Sequence, residues 1–331
     1  ADTITLDGQT SLLADATLTA SSVAVGGGDA NGGNSLTIDA NSASIGGDWS
    51  GLGTLDVTGD ATLAADADLA GDQLDFGGGL QLLGGASLNG TSLVRLGGDV
   101  AVTDEGYVLV LGSDGTIELL GSVTDSPFSD QLGTLEVNGD AVVGTAGGAT
   151  VRTSGAQTWN GSITLDSNLT LTGGTIDVLG GSSASGRNLS ITASDISIGD
   201  SWSGLGLFSA GGESSIGAGV TIDGQQVIFG GDIDLLGDAT LLGAQLLRIN
   251  GDITVADNGF ALELGSDETI ELNGRISNGS FDPKLLGSLL VNGDVSIDRP
   301  DGAVIRTSGD QTWNGAISLL SLSPPPLQRA L

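Results

Sequence analysis

The sequence predicts an all-β fold, a parallel β-helix or β-solenoid, and three observations support this prediction. Apolar residues alternate with Thr, Ser or Asp in short runs, and Gly, Asn or Asp separates the runs, as in the segment 155–181. Such alternation is typical of a half-buried strand, while Asn-Gly and Gly-Gly pairs favour turns. No stretch has the 3.6-residue period of a helix. Three such strands with their turns make one coil, and the pattern recurs along the chain.

The composition favours a thin, stacked core over ordinary globular domains. The 331 residues include 58 glycines and 3% aromatic residues, with no His, Cys or Met. Leu, Ile, Val and Ala must therefore fill the interior. The glycines follow no period of three, which excludes collagen. The absence of cysteine removes disulfides and thiol chemistry and fits bacterial proteins that are exported unfolded.

The charge balance excludes several classes of partner. Nine Lys and Arg residues stand against 41 Asp and Glu residues, a net charge of −32. Nucleic-acid binding needs a basic face for phosphate contacts, so we expect none. We also expect no membrane insertion, because no run of about 18 apolar residues occurs. The acidity fits a solvated surface that keeps a long rod soluble.

A long internal repeat organises the chain. The segment Ala43–Gly53 recurs as Ile196–Gly206, which places Trp202 153 residues after Trp49. After one inserted residue in the region 273–290 the offset becomes 154. The chain is therefore a tandem duplication of a unit of about 153 residues. We predict one continuous solenoid with four parts: 1–33, the tail of a preceding repeat unit; 34–187, repeat unit one; 188–320, an incomplete repeat unit two; and 321–331, a Pro-rich tail outside the repeat.

A shorter period sets the size of a coil. A Gly-Asp pair followed by an alternating strand occurs at spacings of 20, 41 and 42 residues, which predicts coils of about 20–21 residues and seven to eight coils in a unit. At about 4.8 Å per stacked coil, the chain should form a rod about 75–80 Å long. The pairs are Gly98-Asp99, Gly139-Asp140, Gly231-Asp232, Gly251-Asp252 and Gly293-Asp294.

The alternation also assigns the two faces of each strand. A slip of one residue would exchange inward and outward side chains, so the register is strongly specified. The residues predicted to point inward are Leu36, Ile38, Val100, Val102, Ile117, Leu119, Ile233, Leu235, Ile253, Val255, Ile270 and Leu272. Those predicted to face solvent are Thr37, Glu118, Asp234, Thr254 and Glu271.

The Gln-Thr-Trp-Asn-Gly segments at 157–161 and 311–315 are the most specific motif. One interpretation is a tryptophan platform that stacks against a sugar. The other is a structural aromatic packed at a corner before an Asn-Gly turn. We favour the structural interpretation, because Trp49 and Trp202 also lie beside Gly-rich turns.

No residue can be assigned to catalysis, to a cofactor or to a metal from this sequence. A glycosidase needs two carboxylates at a fixed separation, one with a raised pKa, and nothing singles out such a pair. Histidine, a common general base, is absent. The Gly-Asp corners could stack into carboxylate columns, yet they lack the pattern of calcium-binding β-rolls. We expect no dedicated cofactor and at most weak, non-specific calcium uptake.

The segment Ser154–Asp166, with the Leu-Thr-Leu-Thr-Gly-Gly that begins at Leu169, resembles the β-strand repeats of bacterial filamentous-haemagglutinin-like exoproteins. Those repeats carry a similar Gln-Thr-aromatic-Asn-Gly stretch. The resemblance implies a right-handed parallel β-helix, secretion across an outer membrane, and a role in adhesion or as a stalk. It offers no catalytic residues.

The expected function is therefore a structural or adhesive stalk of a secreted or cell-surface bacterial exoprotein, without catalysis. Its partner would be a host or neighbouring cell surface, reached through a glycan or protein receptor. The alternative is an extracellular filament or sheath subunit that polymerises end to end through its exposed strand edges. A third interpretation is a β-helical polysaccharide-degrading enzyme.

Overall fold

The computed structural model describes residues 2–123, 131–183, 185–276, 284–299 and 304–320. Every regular element in these ranges is a β-strand, and the strands form a single connected sheet of 31 strands. In chain order, the strands of the first half are β1 Thr3–Leu6, β2 Thr10–Ser11, β3 Ala16–Val25, β4 Gly28–Asp29, β5 Leu36–Ile45, β6 Trp49–Val57, β7 Asp60–Leu63, β8 Ala67–Phe76, β9 Leu80–Leu82, β10 Ala86–Leu96, β11 Val100–Val102, β12 Val108–Leu119, β13 Thr134–Val143, β14 Ala149–Arg152, β15 Ala156–Leu165 and β16 Leu169–Thr172. Those of the second half are β17 Thr175–Ser182, β18 Leu189–Thr192, β19 Asp195–Ile198, β20 Trp202–Ala210, β21 Glu213–Ile216, β22 Val220–Phe229, β23 Ile233–Leu235, β24 Ala239–Ile249, β25 Ile253–Val255, β26 Ala261–Gly265, β27 Thr269–Leu272, β28 Ser288–Asn292, β29 Val295–Asp298, β30 Gln311–Trp313 and β31 Ile317–Leu320.

The strands wind into a parallel β-solenoid of about 15 turns, which confirms the predicted fold class. At about 4.8 Å per turn the stack is about 70 Å long. Pairing between successive turns defines three strips. Strip 1 begins where β1 pairs with residues 22–25, strip 2 where β2 pairs with β4, and strip 3 where residues 16–20 pair with residues 36–40.

Long strands bend at a corner and contribute to two strips. In β10, residues 86–90 pair within strip 2 and residues 93–96 within strip 3, with a register shift between Gly90 and Leu93. Gly90 leaves no space for a side chain, because an added Cβ would overlap the backbone of Leu93. The corner between strips 2 and 3 is therefore tight and lined by main chain.

The coil length varies around the predicted value. The step between register partners is 18 residues from Ile196 to Ser214 and 20 from Ile233 to Ile253. It rises to 29 residues from Ile276 to Ile305. The paired segments keep the three-strip arrangement despite these differences in coil length.

The core lies inside the three strips and follows the predicted alternation. Eleven of the twelve residues predicted to point inward are 5% exposed or less, and Val102 packs half-buried against them. The five residues predicted to face solvent do point outward, but each is half-buried. Neighbouring coils flank every outward side chain at about 4.8 Å, and this shields it from water.

The duplicated unit does not contain a whole number of coils. Successive register partners of Trp49 lead in seven steps through Leu69, Leu88, Leu111, Val137, Trp159 and Val178 to Ile198. The equivalent residue, Trp202, lies on the next strip, where it pairs with Gly181 and Ile222. A unit therefore spans seven coils and one further strip, so corresponding features of the two units lie on neighbouring faces. The predicted tail at 321–331 lies outside the described residues.

Candidate functional site

The tryptophans of the repeat belong to the core. Trp49, Trp159 and Trp202 are 1% exposed or less, so none of them offers a platform for a sugar. The indole Nε1 of Trp49 donates a hydrogen bond to the carbonyl oxygen of Gly26 at 2.8 Å. Trp159 belongs to the first copy of the Gln-Thr-Trp-Asn-Gly motif, whose structural interpretation is confirmed there; Trp313, in the second copy, packs partly buried against the core.

A glycine in the preceding coil makes room for two of these rings. Gly28 is the register partner of Trp49, and an added Cβ would lie 2.6 Å from the ring. Gly181 stands in the same relation to Trp202, with an added Cβ 2.7 Å from the ring. The pairing of a large and a minimal residue keeps adjacent coils at their normal spacing.

The first residue of the motif, Gln157, is a buried polar group that the sequence did not reveal as inward. It is fully buried, and its Nε2 donates to the carbonyl oxygens of Thr172 at 2.8 Å and Val151 at 3.2 Å. The amide thus ties neighbouring coils together from inside. In the second copy, Gln311 lies in the last described coil and donates to Thr307 Oγ1 at 3.3 Å.

The Gly-Asp corners have a structural role. At each of the five predicted pairs the aspartate Oδ1 accepts a hydrogen bond from a backbone N–H of the next coil, at 2.7–2.9 Å. The accepting and donating residues are Asp99 and Ser122, Asp140 and Ser162, Asp232 and Asp252, Asp252 and Arg275, and Asp294 and Ala316. Across the described part of the chain, no group of three or more acidic side chains has an arrangement that could hold a metal ion.

Asp252 is the most strongly engaged of these carboxylates. Its Oδ1 also accepts from Arg299 Nη1 at 2.9 Å. Burial acts to raise the pKa of Asp252, but the hydrogen bond from the Arg275 N–H and the nearby Arg299 guanidinium outweigh it and leave this pKa below its ordinary value. The charged form is therefore the one that the fold stabilises.

An ion-pair ladder crosses three coils of unit one. Arg95 contacts Asp75 in the preceding coil, with Nη1 and Oδ2 3.1 Å apart, and Glu118 in the following coil, with Nε and Oε2 2.8 Å apart. Asp56 lies one coil further along the same column. Partial burial and repulsion from Asp75 and Asp39 raise the pKa of Asp56.

A furrow of about 640 Å³ follows the corner between strips 2 and 3 in unit one, and we name it furrow one. Its lining combines glycines and Ala70 with polar side chains, and Leu52 lies almost wholly buried beneath it. It is lined by Gly51, Leu52, Ala70, Gly71, Asp72, Asn89, Gly90, Thr91, Gly112, Ser113, Asp114 and Asn138.

Hydrogen bonds fix the side chains of furrow one. Thr91 Oγ1 donates to Asp72 Oδ1 at 2.6 Å, and Ser92 Oγ donates to the Asp72 carbonyl at 3.0 Å. The Thr91 and Ser92 hydroxyls lower the pKa of Asp72. Asn89 Nδ2 donates to Ser87 Oγ at 2.7 Å. These contacts hold the wall of the furrow in one arrangement.

Unit two carries the equivalent furrow, furrow two, with a volume of about 280 Å³. It lies at the corner between strips 3 and 1, one corner further around the solenoid than furrow one. This follows because a unit spans seven coils and one further strip. The glycine floor is kept, whereas Leu242 and Ala244 stand where furrow one has Asn89 and Thr91. Furrow two is lined by Asp223, Leu242, Gly243, Ala244, Gly265, Ser266, Asp267 and Asn292.

Neither furrow is apparent from the sequence. A furrow depends on three-dimensional stacking of corners that are about 20 residues apart. One signal was present: Gly90 and Gly112 recur as Gly243 and Gly265 at the same offset as the tryptophans.

A recess of about 520 Å³ on strip 2 of unit two is lined by acidic residues and one lysine. Asp195, Glu213 and Asp232 follow one another in register on successive coils. Lys284 Nζ donates to the Ala256 carbonyl at 2.6 Å. The carboxylate of Asp232 already accepts a backbone N–H, so the recess is part of the corner structure described above.

Comparison with protein-family models, curated proteins and solved structures finds no match to this chain. None of the residues that the structure describes forms a helix long and apolar enough to cross a membrane.

Proposed function

We propose that the chain is a rigid stalk segment of an adhesive exoprotein and performs no catalysis. The observation that carries the proposal is the uninterrupted parallel stack of about 15 turns with one apolar core. Such an array contacts chiefly its own neighbours, so its length scales with the number of coils. This property suits a spacer that holds a binding surface away from its anchor.

The side-chain chemistry supports a non-catalytic role. The carboxylates of the Gly-Asp corners accept backbone hydrogen bonds, and three of the four tryptophans fill the core. The groups that first suggested sugar hydrolysis or stacking are thus engaged in holding coils together. Secretion and a bacterial surface location remain part of the proposal through the resemblance of the repeat to filamentous-haemagglutinin-like exoproteins.

Adhesion is tested with beads that carry the purified chain and, as a control, the same chain unfolded and blocked before coupling. We expect the folded chain to retain beads on bacterial or epithelial cell layers under flow, with partners that are surface glycans or proteins. Equal retention of both bead types would contradict the adhesive role.

Electron microscopy of the purified chain separates a stalk from a filament subunit. The stalk proposal expects single rods about 70 Å long, the length of about 15 turns at about 4.8 Å each. Filaments of solenoid width that lengthen with protein concentration would favour the polymerising subunit instead. Release of reducing sugar from a panel of polysaccharides would favour the hydrolase.

A further inference from the structure

We propose that furrow one binds a linear, neutral glycan along the solenoid axis and that furrow two, in its natural sequence, does not. This inference rests on the adhesive role proposed above and names the chemistry of its partner. Furrow one has the volume of a small-molecule site, which is typically about 300–1,000 Å³, while furrow two falls below that range. The two furrows also differ in their polar groups, because Asp223, Gln225, Leu242 and Ala244 stand where furrow one has Ala70, Asp72, Asn89 and Thr91.

Furrow one offers both hydrogen-bond acceptors and donors to a ligand. The amide Nδ2 of Asn89 already donates to Ser87, and that of Asn138 donates to Glu136 Oε1 at 2.9 Å. Thr91 donates to Asp72. Each amide keeps a second N–H and the Ser113 hydroxyl, which accepts from the Gly115 N–H, keeps its hydrogen, so a ligand meets donors as well as the acceptors Asn89 Oδ1 and the carboxylates. Sugar hydroxyls both donate and accept hydrogen bonds, and they are neutral.

The charge and shape of the furrow narrow the class of glycan. Asp72 and Asp114 both line it, so a glycan that carries carboxylates or sulfates would be repelled. The lining includes the glycines and the partly exposed Ala70, with Leu52 almost wholly buried beneath them, and the C–H face of a sugar ring can lie against these small residues. The furrow follows successive coils, so it fits an extended chain and not a single compact sugar.

An added peptide strand is not favoured at this place. Strand addition needs an unpaired sheet edge. The segments on either side of the furrow are paired both above and below; residues 86–90, for example, pair with β8 on one side and β12 on the other. The two carboxylates could still attract a basic peptide, and that outcome is included in the test.

The duplication provides matched variants for the experiment. Asn89→Leu with Thr91→Ala removes two polar groups of furrow one by installing the residues that unit two carries as Leu242 and Ala244. Leu242→Asn with Ala244→Thr makes the reciprocal change in furrow two. Both substitutions place residues in a backbone setting where the other unit accommodates them. Circular dichroism and melting temperature establish that each variant is folded.

The test is calorimetric titration of the full chain with neutral hexasaccharides, namely β-1,4-linked glucan, mannan and xylan and α-1,4-linked glucan, and with hexalysine. We expect one neutral hexasaccharide to bind at one site per chain. Asn89→Leu/Thr91→Ala should weaken this binding at least tenfold, and Leu242→Asn/Ala244→Thr should add at most a second, weaker site, because Gln225 stands where furrow one has Asp72. Thr254→Ala, on strip 2 away from both furrows, should leave it unchanged.

Three results would overturn the inference: no binding of any of these hexasaccharides at millimolar concentration, binding that survives Asn89→Leu/Thr91→Ala, or binding of hexalysine alone. The bead assay separates this failure from failure of the adhesive role. If beads carrying Asn89→Leu/Thr91→Ala adhere as well as the parent, adhesion stands and furrow one is not its site.

Discussion

The two repeat units agree inside and differ outside. In unit one, the outward column of strip 3 carries an ion-pair ladder in which Arg95 has an acidic partner on either side. In unit two, Arg248 keeps one partner, Glu271, at 2.5 Å, and Ile228 occupies the place that corresponds to Asp75. The corresponding columns are Asp56, Asp75, Arg95 and Glu118 in unit one, and Ser209, Ile228, Arg248 and Glu271 in unit two.

The column of Gly-Asp corners differs in the opposite sense. Unit two has an unbroken run of acidic residues ending in an arginine, whereas in unit one a serine and a glycine interrupt it. The columns are Asp195, Glu213, Asp232, Asp252 and Arg275 in unit two, and Ser42, Asp60, Gly79, Asp99 and Ser122 in unit one. The two units thus carry their charged residues in different outward columns, whereas their inward residues are mainly apolar in both. An inward residue must fit its stacked neighbours, and an outward residue need not.

The largest loss of stability should come from a charge placed in the apolar core that the two units have in common. Ile117→Asp and its equivalent Ile270→Asp each place a charge without a partner at a site that is 0% exposed. Each should lower the free energy of unfolding by at least about 3 kcal/mol, because a buried charge must be paired. Urea denaturation measures this loss, which should be similar in the two units.

Thr269→Asp, beside Ile270 but on the outward face, is the control and should cost less than about 1 kcal/mol. Equal losses for Thr269→Asp and Ile270→Asp would mean that the inward and outward faces are assigned wrongly.

A smaller loss of stability is expected when a corner carboxylate is neutralised, and it should differ between the two units. Asp252→Asn removes the charge that pairs with Arg299, whereas the equivalent Asp99→Asn changes only a bond from the Ser122 N–H. Asp252 is partly exposed, so we expect a loss of about 1 kcal/mol at neutral pH, and less for Asp99→Asn.

The pH dependence of this loss has a definite sign. The pKa of Asp252 is lowered in the folded chain. Its contribution to stability is therefore complete above the unfolded pKa of an aspartate, near 3.8, and disappears as the pH falls through the lowered folded pKa. Unfolding free energies of parent and Asp252→Asn should converge on acidification, and a difference that grows towards acid would contradict the assignment.

Removing one carboxylate from an outward ion pair should cost still less stability, and the cost should differ between the two units. The sequence alone placed Glu271 in water, but the structure pairs it with Arg248. Glu271→Gln should cost about 0.5 kcal/mol, since the pair is half-exposed. Glu118→Gln should cost less, because Arg95 keeps Asp75. Added salt should reduce both losses. A salt-independent loss, or a greater one for Glu118→Gln, would argue against these pairs.

The smallest expected change is a gain in stability, on replacement of Asp56. Asp56 has a raised pKa in the folded chain, so its charged form opposes folding at neutral pH. Asp56→Ser, which installs the residue that unit two carries as Ser209, should stabilise the chain by about 0.3 kcal/mol. The gain should decline as the pH falls through the raised folded pKa of Asp56 and vanish below the unfolded value near 3.8, where the carboxyl is protonated in both states. Destabilisation at neutral pH would be the contrary result.

The sequence was sufficient for what local alternation determines. Ile270 and Leu272 could be placed inside and Glu271 outside, because the side-chain period of a strand is two. The partner of Glu271 could not be found, since Arg248 is 23 residues away and meets it only through the register of a coil with a variable length. Furrow one was missed for the same reason. The duplication is evident from residue identities alone, but only the strand register shows that a unit ends one strip further around the solenoid.

Disulfide trapping at equivalent positions of the two units tests the stacked register most directly. The chain has no natural cysteine. Thr62 pairs with Gln81 in unit one, and the equivalent residues Ser215 and Asp234 pair in unit two. In-register Cα atoms about 4.8 Å apart lie within the range that a disulfide spans. Thr62→Cys/Gln81→Cys and Ser215→Cys/Asp234→Cys should therefore both form an intramolecular disulfide under mild oxidation, and Thr62→Cys/Asp234→Cys should not. Failure of both matched pairs, or efficient closure of the mismatched one, would contradict the solenoid register on which the account rests.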